Sequence, residues 1–424
     1  MELLSADWYH QLPPPVQAIF ESLHRENYCV YLVGGAVRDF LMKTEPKDFD
    51  LVSNAKPDDI EKIFPKTLNI GKSFGISIVI QDASPIEVAS FRKDGAYYDA
   101  RHPDHIEYAG PEEDAKRRDF TMNALFWNPK EKQIIDYVGG LKDIELHMIR
   151  TVGDAEKRFS EDALRMLRAF RFLSQLSELG FSLHADIPNA VTKLKASLQK
   201  VSRERITQEI NLILLSPLPS AALKEIRNTG AWEYVFPEIH LYKEEEANKL
   251  FDFCDALAAV KKNGAIEEAS ALAMLWAAML ETVSKEDRQI FWSRFALPKD
   301  IRNMANKLLE LLLEFKNFFE KPKHSQKILM NEDSFSHALA YFLTQNAMSE
   351  ETQAFGEKII AQHSLWLERE TLKPEALLNG DDLLKLGFHP GSRVGEILEK
   401  IYNMQLDETF ITKEAAIEAA KTFL

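Results

Sequence analysis

The stretch that most constrains this chain is Gly34-Gly35-Ala36-Val37-Arg38-Asp39, with Asp48-Phe49-Asp50-Leu51 close behind it. Tyr28 to Val33 is an apolar, β-prone run ending at the glycines. Two glycines let a backbone bend sharply and approach a ligand closely. Arg38 follows within one helical turn, where backbone N–H groups and a guanidinium can both face a phosphate. The pattern therefore predicts strand, glycine turn, helix start, then a second strand carrying two carboxylates. On a strand, Asp48 and Asp50 share one face while Phe49 and Leu51 point into a core. Two carboxylates on one face repel unless a cation lies between them, and Mg²⁺ both takes such oxygens and bridges nucleotide phosphates. A phosphate-cradling turn followed by a carboxylate pair is what nucleotidyl transfer requires.

Composition bounds the rest. At 424 residues, with 45% hydrophobic and 28% charged side chains, the chain is expected to form two to four globular domains. Cys29 and Cys254 offer neither a disulfide framework nor a zinc pattern, which fits a reducing cytoplasm. The N-terminus lacks a basic region and a long apolar run, so no signal peptide is expected. Ala271 to Leu280 is about half the length of a membrane span and reads as a buried helix. The net charge of −14 argues against indiscriminate nucleic-acid binding. However, 11 Lys and Arg against 7 Asp and Glu between Arg150 and Arg205 make a locally basic stretch, suited to one defined RNA shape.

Periodicity predicts a helix after Pro13-Pro14-Pro15, with Val16, Ile19, Phe20 and Leu23 facing the catalytic strands. A short helix is expected over 57–64, and a hairpin from 76–80 and 86–91 turning between Asp82 and Pro85. Glu87 on that hairpin could face the two aspartates or simply solvent. Residues 92–113 show no period and read as a long polar loop. Residues 155–176 read as one amphipathic helix, on which Asp162, Arg165 and Arg168 would span about a third of the circumference. From about 220 onward the pattern is helical, with linkers near 216–219 and 320–323 and no chemistry-bearing motif. There is no His-Asp dipeptide, hence no sign of an appended phosphohydrolase domain.

Gly34-Gly35, twelve intervening residues and Asp48-Phe49-Asp50 resemble the polymerase-β nucleotidyltransferase signature. The fuller form through Asp39 is similar to class II tRNA nucleotidyltransferases (CCA-adding enzymes) and bacterial poly(A) polymerases. Lys116-Arg117-Arg118-Asp119-Phe120-Thr121-Met122-Asn123-Ala124 resembles that family's Arg-Arg-Asp-Phe-Thr-x-Asn-Ala motif. Asp136 to Gly140 is similar to its hinge, Glu161-Asp162-Ala163-Leu164-Arg165 to its Glu-Asp-x-x-Arg motif, and 201–210 to its Arg…Glu bracing helix.

The resemblance implies an α+β chain: a polymerase-β-like head with a mixed sheet and helices over 1–144, a helical neck that selects the base over 145–218, and a helical body and tail that hold tRNA over 219–424. It implies Asp48 and Asp50 as catalytic residues and Mg²⁺ ligands. Gly34, Gly35, Arg38, Arg118, Asp162, Arg165, Arg168 and Arg171 would bind the nucleotide, with Asp119, Asn123 and Glu161 in support. The loop at 92–113 would help the site switch from C to A. The expected partners are CTP, ATP and the tRNA 3′ end, with no membrane and no obligate protein partner.

Why an Asp–Arg pair suits such a reaction can be argued from donors and acceptors. Cytosine and adenine both show an exocyclic amine beside a ring-nitrogen acceptor, so a carboxylate accepts and a guanidinium donates. Uracil and guanine mismatch both contacts. A plain intrahelical ion pair is the common alternative for this spacing, and the two roles can coexist. The motifs leave poly(A) polymerase and a partial, A-adding enzyme as alternatives. Ser73, where poly(A) polymerases tend to carry a basic residue, and the acidic net charge lean toward CCA addition.

Overall fold

The structure is a computed structural model that describes residues 2–68, 74–95, 106–239, 243–315, 317–346 and 349–424. Ser73 and the middle of the expected loop at 92–113 lie outside the described residues. The chain divides into two compact units. One comprises Met1–His240 with Ser293–Ala296, the other Leu241–Trp292 with Leu297–Leu424.

The first unit is built on a mixed sheet. Its strands are β1 (Glu2–Ser5), β2 (Val30–Val33), β3 (Asp50–Ser53), β4 (Thr67–Leu68), β5 (Ile76–Gln81) and β6 (Ser84–Ser90). A separate ribbon pairs β7 (Arg92–Asp94) with β8 (Ile106–Tyr108), and β9 (Leu125–Asn128) and β10 (Gln133–Asp136) complete the main sheet. The main order is β1-β10-β9-β2-β3-β6-β5-β4, antiparallel throughout except where β3 runs parallel to β6. Strand periodicity sorts the core onto two faces. Leu32, Leu51, Val88 and Trp127 join one apolar cluster. Their neighbours Val33, Val52 and Phe126 join another with Phe91 and Ile135.

Helix α1 (Pro14–Arg25) starts on proline, whose fixed φ suits a first helical turn. It buries Val16, Ile19, Phe20 and Leu23 on the first of those clusters, as its spacing predicts. Each such side chain removed from water contributes about 1.5–3 kcal/mol before entropy is counted. Next come α2 (Gly35–Leu41), α3 (Pro57–Ile63) and α4 (Pro111–Arg117). The β5–β6 turn is tighter than expected. Asp82 and Ala83, at φ 50° and 64°, make the two-residue mirror-image turn that matches strand twist, so Ser84 and Pro85 already belong to the strand. The long loop also differs at its ends, because β7, β8 and α4 take up residues expected to be irregular. Strand β1 was not expected at all: it adds the outermost strand against β10, and Trp127 Nε1 donates to Ala6 O at 2.9 Å beside it.

After β10 come α5 (Gly140–Glu145), the short pair β11 (Met148–Ile149) and β12 (Ser182–Leu183), α6 (Ala155–Glu161) and α7 (Leu164–Gln175). The single helix expected over 155–176 is therefore two. Asp162 has φ −146° and ψ 106°, extended backbone that ends α6, and its Oδ1 accepts the Leu164 N–H as the next turn begins. Then follow α8 (Asp186–Leu194), α9 (Arg203–Leu214), α10 (Pro219–Asn228) and α11 (Trp232–Val235).

The second unit is helical: α12 (Glu244–Lys262), α13 (Glu268–Leu280), α14 (Lys285–Arg294), α15 (Lys299–Phe315), α16 (Lys323–Met330), α17 (Phe335–Gln345), α18 (Glu350–Glu368), α19 (Gly380–Lys385), α20 (Ser392–Leu406) and α21 (Lys413–Lys421). Helix α14 runs into the segment assigned to the first unit. Ala271 to Leu280 is buried all round, as a helix apolar on every face must be. No described helix is long and apolar enough to cross a membrane. Helices α19 to α21 close their own small core around Leu383, Phe388, Ile401 and Ala416.

Candidate active site

The glycine turn joins β2 to α2. Gly34 sits at φ +76°, a conformation that favours glycine. A β-carbon there would lie 3.8 Å from both Arg118 Nη1 and Asp50 Oδ2, so this backbone marks where three motif residues meet. On α2, Arg38 donates from Nη1 to Asn123 Oδ1 at 2.9 Å and from Nε and Nη2 to Asp39 Oδ1 at 2.9 and 2.7 Å. Residues 85 positions apart are thus tied together.

Pairing of β3 begins only at Asp50, opposite Val33, so Asp48 lies on the approach to the strand rather than within it. Both aspartates are exposed residues. Protein crowds the Asp50 carboxyl and raises it above the ordinary carboxylate range; Arg118 pulls it back, and Asp48 pushes it up again. Glu87, on the adjacent β6, is likewise raised, first by lost hydration and then by Asp50. Among the described residues no group of three or more His, Cys, Asp or Glu converges as a metal site. Glu87 lies near enough to Asp50 to feel its charge. Two mutually repelling carboxylates suit a hard cation whose remaining oxygens come from phosphate and water.

Arg118 is held by its own side of the site. Asp114, fully buried on α4, accepts from Arg118 Nε at 3.1 Å and Arg117 Nε at 2.9 Å, and also takes the Arg92 N–H at 3.3 Å. Burial works to raise the Asp114 carboxyl, and the two guanidiniums outweigh it, so the carboxyl stays below its usual range. The Arg118 guanidinium lies over the Phe126 ring, 5.4 Å from its centroid.

Asp162 and Arg165 do not pair with each other. Asp162 is gripped by Arg205, with Nη1 to Oδ1 at 3.2 Å and Nη2 to Oδ2 at 2.6 Å. Arg165 Nη1 donates to Glu161 Oε2 at 2.8 Å. The same group reaches Arg158 O at 3.1 Å, and Nη2 reaches Arg117 O at 3.3 Å. The i,i+3 ion pair is absent because the chain bends at Asp162. Further along α7, Arg168 Nη2 lies 2.6 Å from Asp119 Oδ2, and Arg171 Nη1 lies 3.1 Å from Glu209 Oε2. Burial alone would raise Asp119, but Arg168 and Arg165 bring its carboxyl down to about 2.

Of the two glycines that follow Asp136, Gly139 is exposed and Gly140 is packed. Asp136 Oδ1 accepts the Val138 and Gly139 N–H groups and Oδ2 that of Leu141, each at 2.9 Å. A β-carbon on Gly140 would stand 2.2 Å from Thr121 O. Four participants were not assigned to the site from the sequence. Asp114 carried a signal in its spacing of three and four residues from Arg117 and Arg118. Arg205 and Glu209 were seen only as bracing, although one helical turn separates them. Phe172 gave no signal of its own in the sequence.

Residues 30–150 match the family described as "Poly A polymerase head domain", and residues 180–243 match "Probable RNA and SrmB- binding site of polymerase A". The chain is 43% identical over 228 residues to the CCA-adding enzyme of Geobacillus thermodenitrificans, a match that covers 53% of this chain and 55% of that relative. With relatives of this group the chain thus aligns over about half their length. It is 32% identical over 419 residues to the CCA-adding enzyme of Ligilactobacillus salivarius, covering 96% of this chain and 95% of the relative. The crystal structure of the Bacillus stearothermophilus CCA-adding enzyme in complex with CTP superposes with a TM-score of 0.78 at 29% identity, covering 97% of this chain and 99% of that one. On these matches the chain belongs to the CCA-adding enzyme family.

Proposed function

We propose that this protein is a template-independent CCA-adding tRNA nucleotidyltransferase, which adds C, C and A to tRNA 3′ ends from CTP and ATP and releases pyrophosphate. The observation that supports this most is the meeting of Gly34, Asp50 and Arg118 at one point, in the same compact unit that fixes Asp162 and Arg165 in separate ion pairs. Asp48 and Asp50 would hold Mg²⁺. When bound, such ions make the 3′-hydroxyl a better nucleophile and offset charge on the leaving pyrophosphate.

The chain's own groups supply the rest. Gly34, Gly35 and Arg38 position the triphosphate, and Arg118 steadies the nucleotide beside Asp50. Arg168 and Arg171 contact phosphate or the RNA backbone. Asp162 and Arg165 read the base. An ionised carboxylate offers about four lone-pair sites. Arg205 takes two of those on Asp162 and the Leu164 N–H a third, so one stays open for an exocyclic amine. Residues 1–144 serve as the head, 145–218 as the base-selecting neck and 219–424 as the body and tail that grip tRNA. Two free cysteines accord with a cytoplasmic enzyme.

Transfer of labelled cytidylate to tRNA tests this reading. The wild-type protein incorporates label with Mg²⁺ and loses it with a chelator. Asp48→Ala and Asp50→Ala each fall by at least about a thousandfold. Wild-type transfer by Asp48→Ala would overturn the assignment. The named head-domain family also contains poly(A) polymerases in its description, and a long A ladder on unrelated RNA would move the protein there.

A further inference from the structure

Phe172 lies on α7 at 5% exposure, and its ring is the meeting point of three guanidiniums. The carbons at the centres of Arg171, Arg38 and Arg168 stand 4.6, 5.3 and 5.7 Å from its centroid. Two of these arginines come from α7 itself and the third from α2. Phe120, inside the Arg-Arg-Asp-Phe-Thr motif, meets the same ring edge-on at 5.4 Å. Each arginine also has a carboxylate partner: Asp39 for Arg38, Asp119 for Arg168 and Glu209 for Arg171.

We propose that Phe172 is a positioning residue for the triphosphate site: its ring gathers Arg38, Arg168 and Arg171 into one preset cationic group. This rests on the reading above that those arginines face the phosphates of the nucleotide. An aromatic face is electron-rich and attracts a guanidinium that must also stay near two others. A planar guanidinium stacked on a ring has lost its rotational freedom before the anion arrives, so less entropy is lost on binding. The three carboxylates and the ring hold the same three arginines. A ring present only to fill the core would not need three cations around it, and leucine would fill much of the same space.

The two roles separate by experiment. KM for CTP and for ATP, kcat, inhibition by inorganic pyrophosphate and melting temperature are measured for wild type, Phe172→Leu, Phe172→Tyr and Arg38→Ala. Pyrophosphate has no base, so it reports the phosphate site alone. Phe172→Leu is expected to raise both KM values about tenfold and weaken pyrophosphate inhibition by the same factor, with kcat within about twofold. Phe172→Tyr keeps the ring and restores all three. If Arg38→Ala weakens pyrophosphate inhibition while Phe172→Leu shifts only the melting temperature or kcat, the proposal is overturned. If Arg38→Ala leaves pyrophosphate inhibition unchanged, the phosphate-site reading itself has failed. Should Phe172→Leu not fold, Phe172→Met, of similar volume and without a ring, decides by the same readout.

Discussion

Arg205 grips both oxygens of Asp162 across 43 positions of sequence, at 3.2 and 2.6 Å. That contact joins α9 to the bend between α6 and α7. A two-nitrogen guanidinium fork fixes the plane of a carboxylate, as the base-reading role proposed for Asp162 would require. Both side chains are largely withdrawn from water, at 22% and 14% exposure, so removing one partner costs more than it would in a surface ion pair.

Arg205→Ala frees Asp162 without touching the nucleotide. We expect kcat/KM for CTP and ATP to fall about 10- to 100-fold, the range for losing hydrogen bonds to a charged group. Misincorporation of UTP should rise at the same time, because a loose carboxylate discriminates poorly. Competition assays with mixed nucleotides measure both. Loss of rate with unchanged discrimination would show that Arg205 only stabilises the fold.

Asp119 sets an acid limit. Its carboxyl is brought down to about 2 in the folded chain. A depressed carboxyl stabilises the fold above its unfolded pKa near 4, and that stability is lost as pH falls from about 4 toward 2. The contribution is about 2 kcal/mol at neutral pH. Denaturation of wild type and Asp119→Asn should therefore differ by a constant amount from pH 7 to 5 and converge below pH 4. A gap that widened on acidification would contradict the sign.

Gly140 tolerates no side chain. The added carbon of Gly140→Ala would meet Thr121 O, a backbone atom in a segment tied by Thr121 Oγ1 to Asp143 at 2.7 Å. Overpacking against backbone should cost about 3 kcal/mol. Gly139→Ala meets nothing within 4 Å and pays only for its φ of +88°, about 1 kcal/mol. Melting of the two variants ranks them; equal effects would mean that the turn is loose.

In the second unit Lys327 is fully buried. Its Nζ donates to Leu406 O at 2.8 Å and Glu408 at 3.0 Å, and lies 5.1 Å from the centre of the Trp366 ring. Lys327→Ala leaves a cavity and an uncapped helix end, and should cost about 3 kcal/mol in chemical denaturation. A cost below about 0.5 kcal/mol, the range of ordinary surface changes, would contradict a packing role for this lysine.

The glycine turn, the strand leading to it, α1 and the Arg118–Asn123 segment were legible because each depends on local chemistry: φ freedom, apolar period, motif spacing. What was not legible depended on partners far along the chain. The bend at Asp162 breaks a stripe that reads as one helix, because a carboxylate held by Arg205 and by the Leu164 N–H outweighs helical propensity there. Strand β1 exists only because β10 presents an edge for it. Asp48 stands outside its strand because the ladder with β2 ends at Val33, where Gly34 turns away.

The measurement that tests the account most directly is a gel assay on a tRNA transcript ending at the discriminator base, given Mg²⁺ with CTP, ATP or both. The account predicts two additions with CTP alone and a third only when ATP is also present. A long A ladder with ATP alone, on tRNA and unrelated RNA alike, would contradict it.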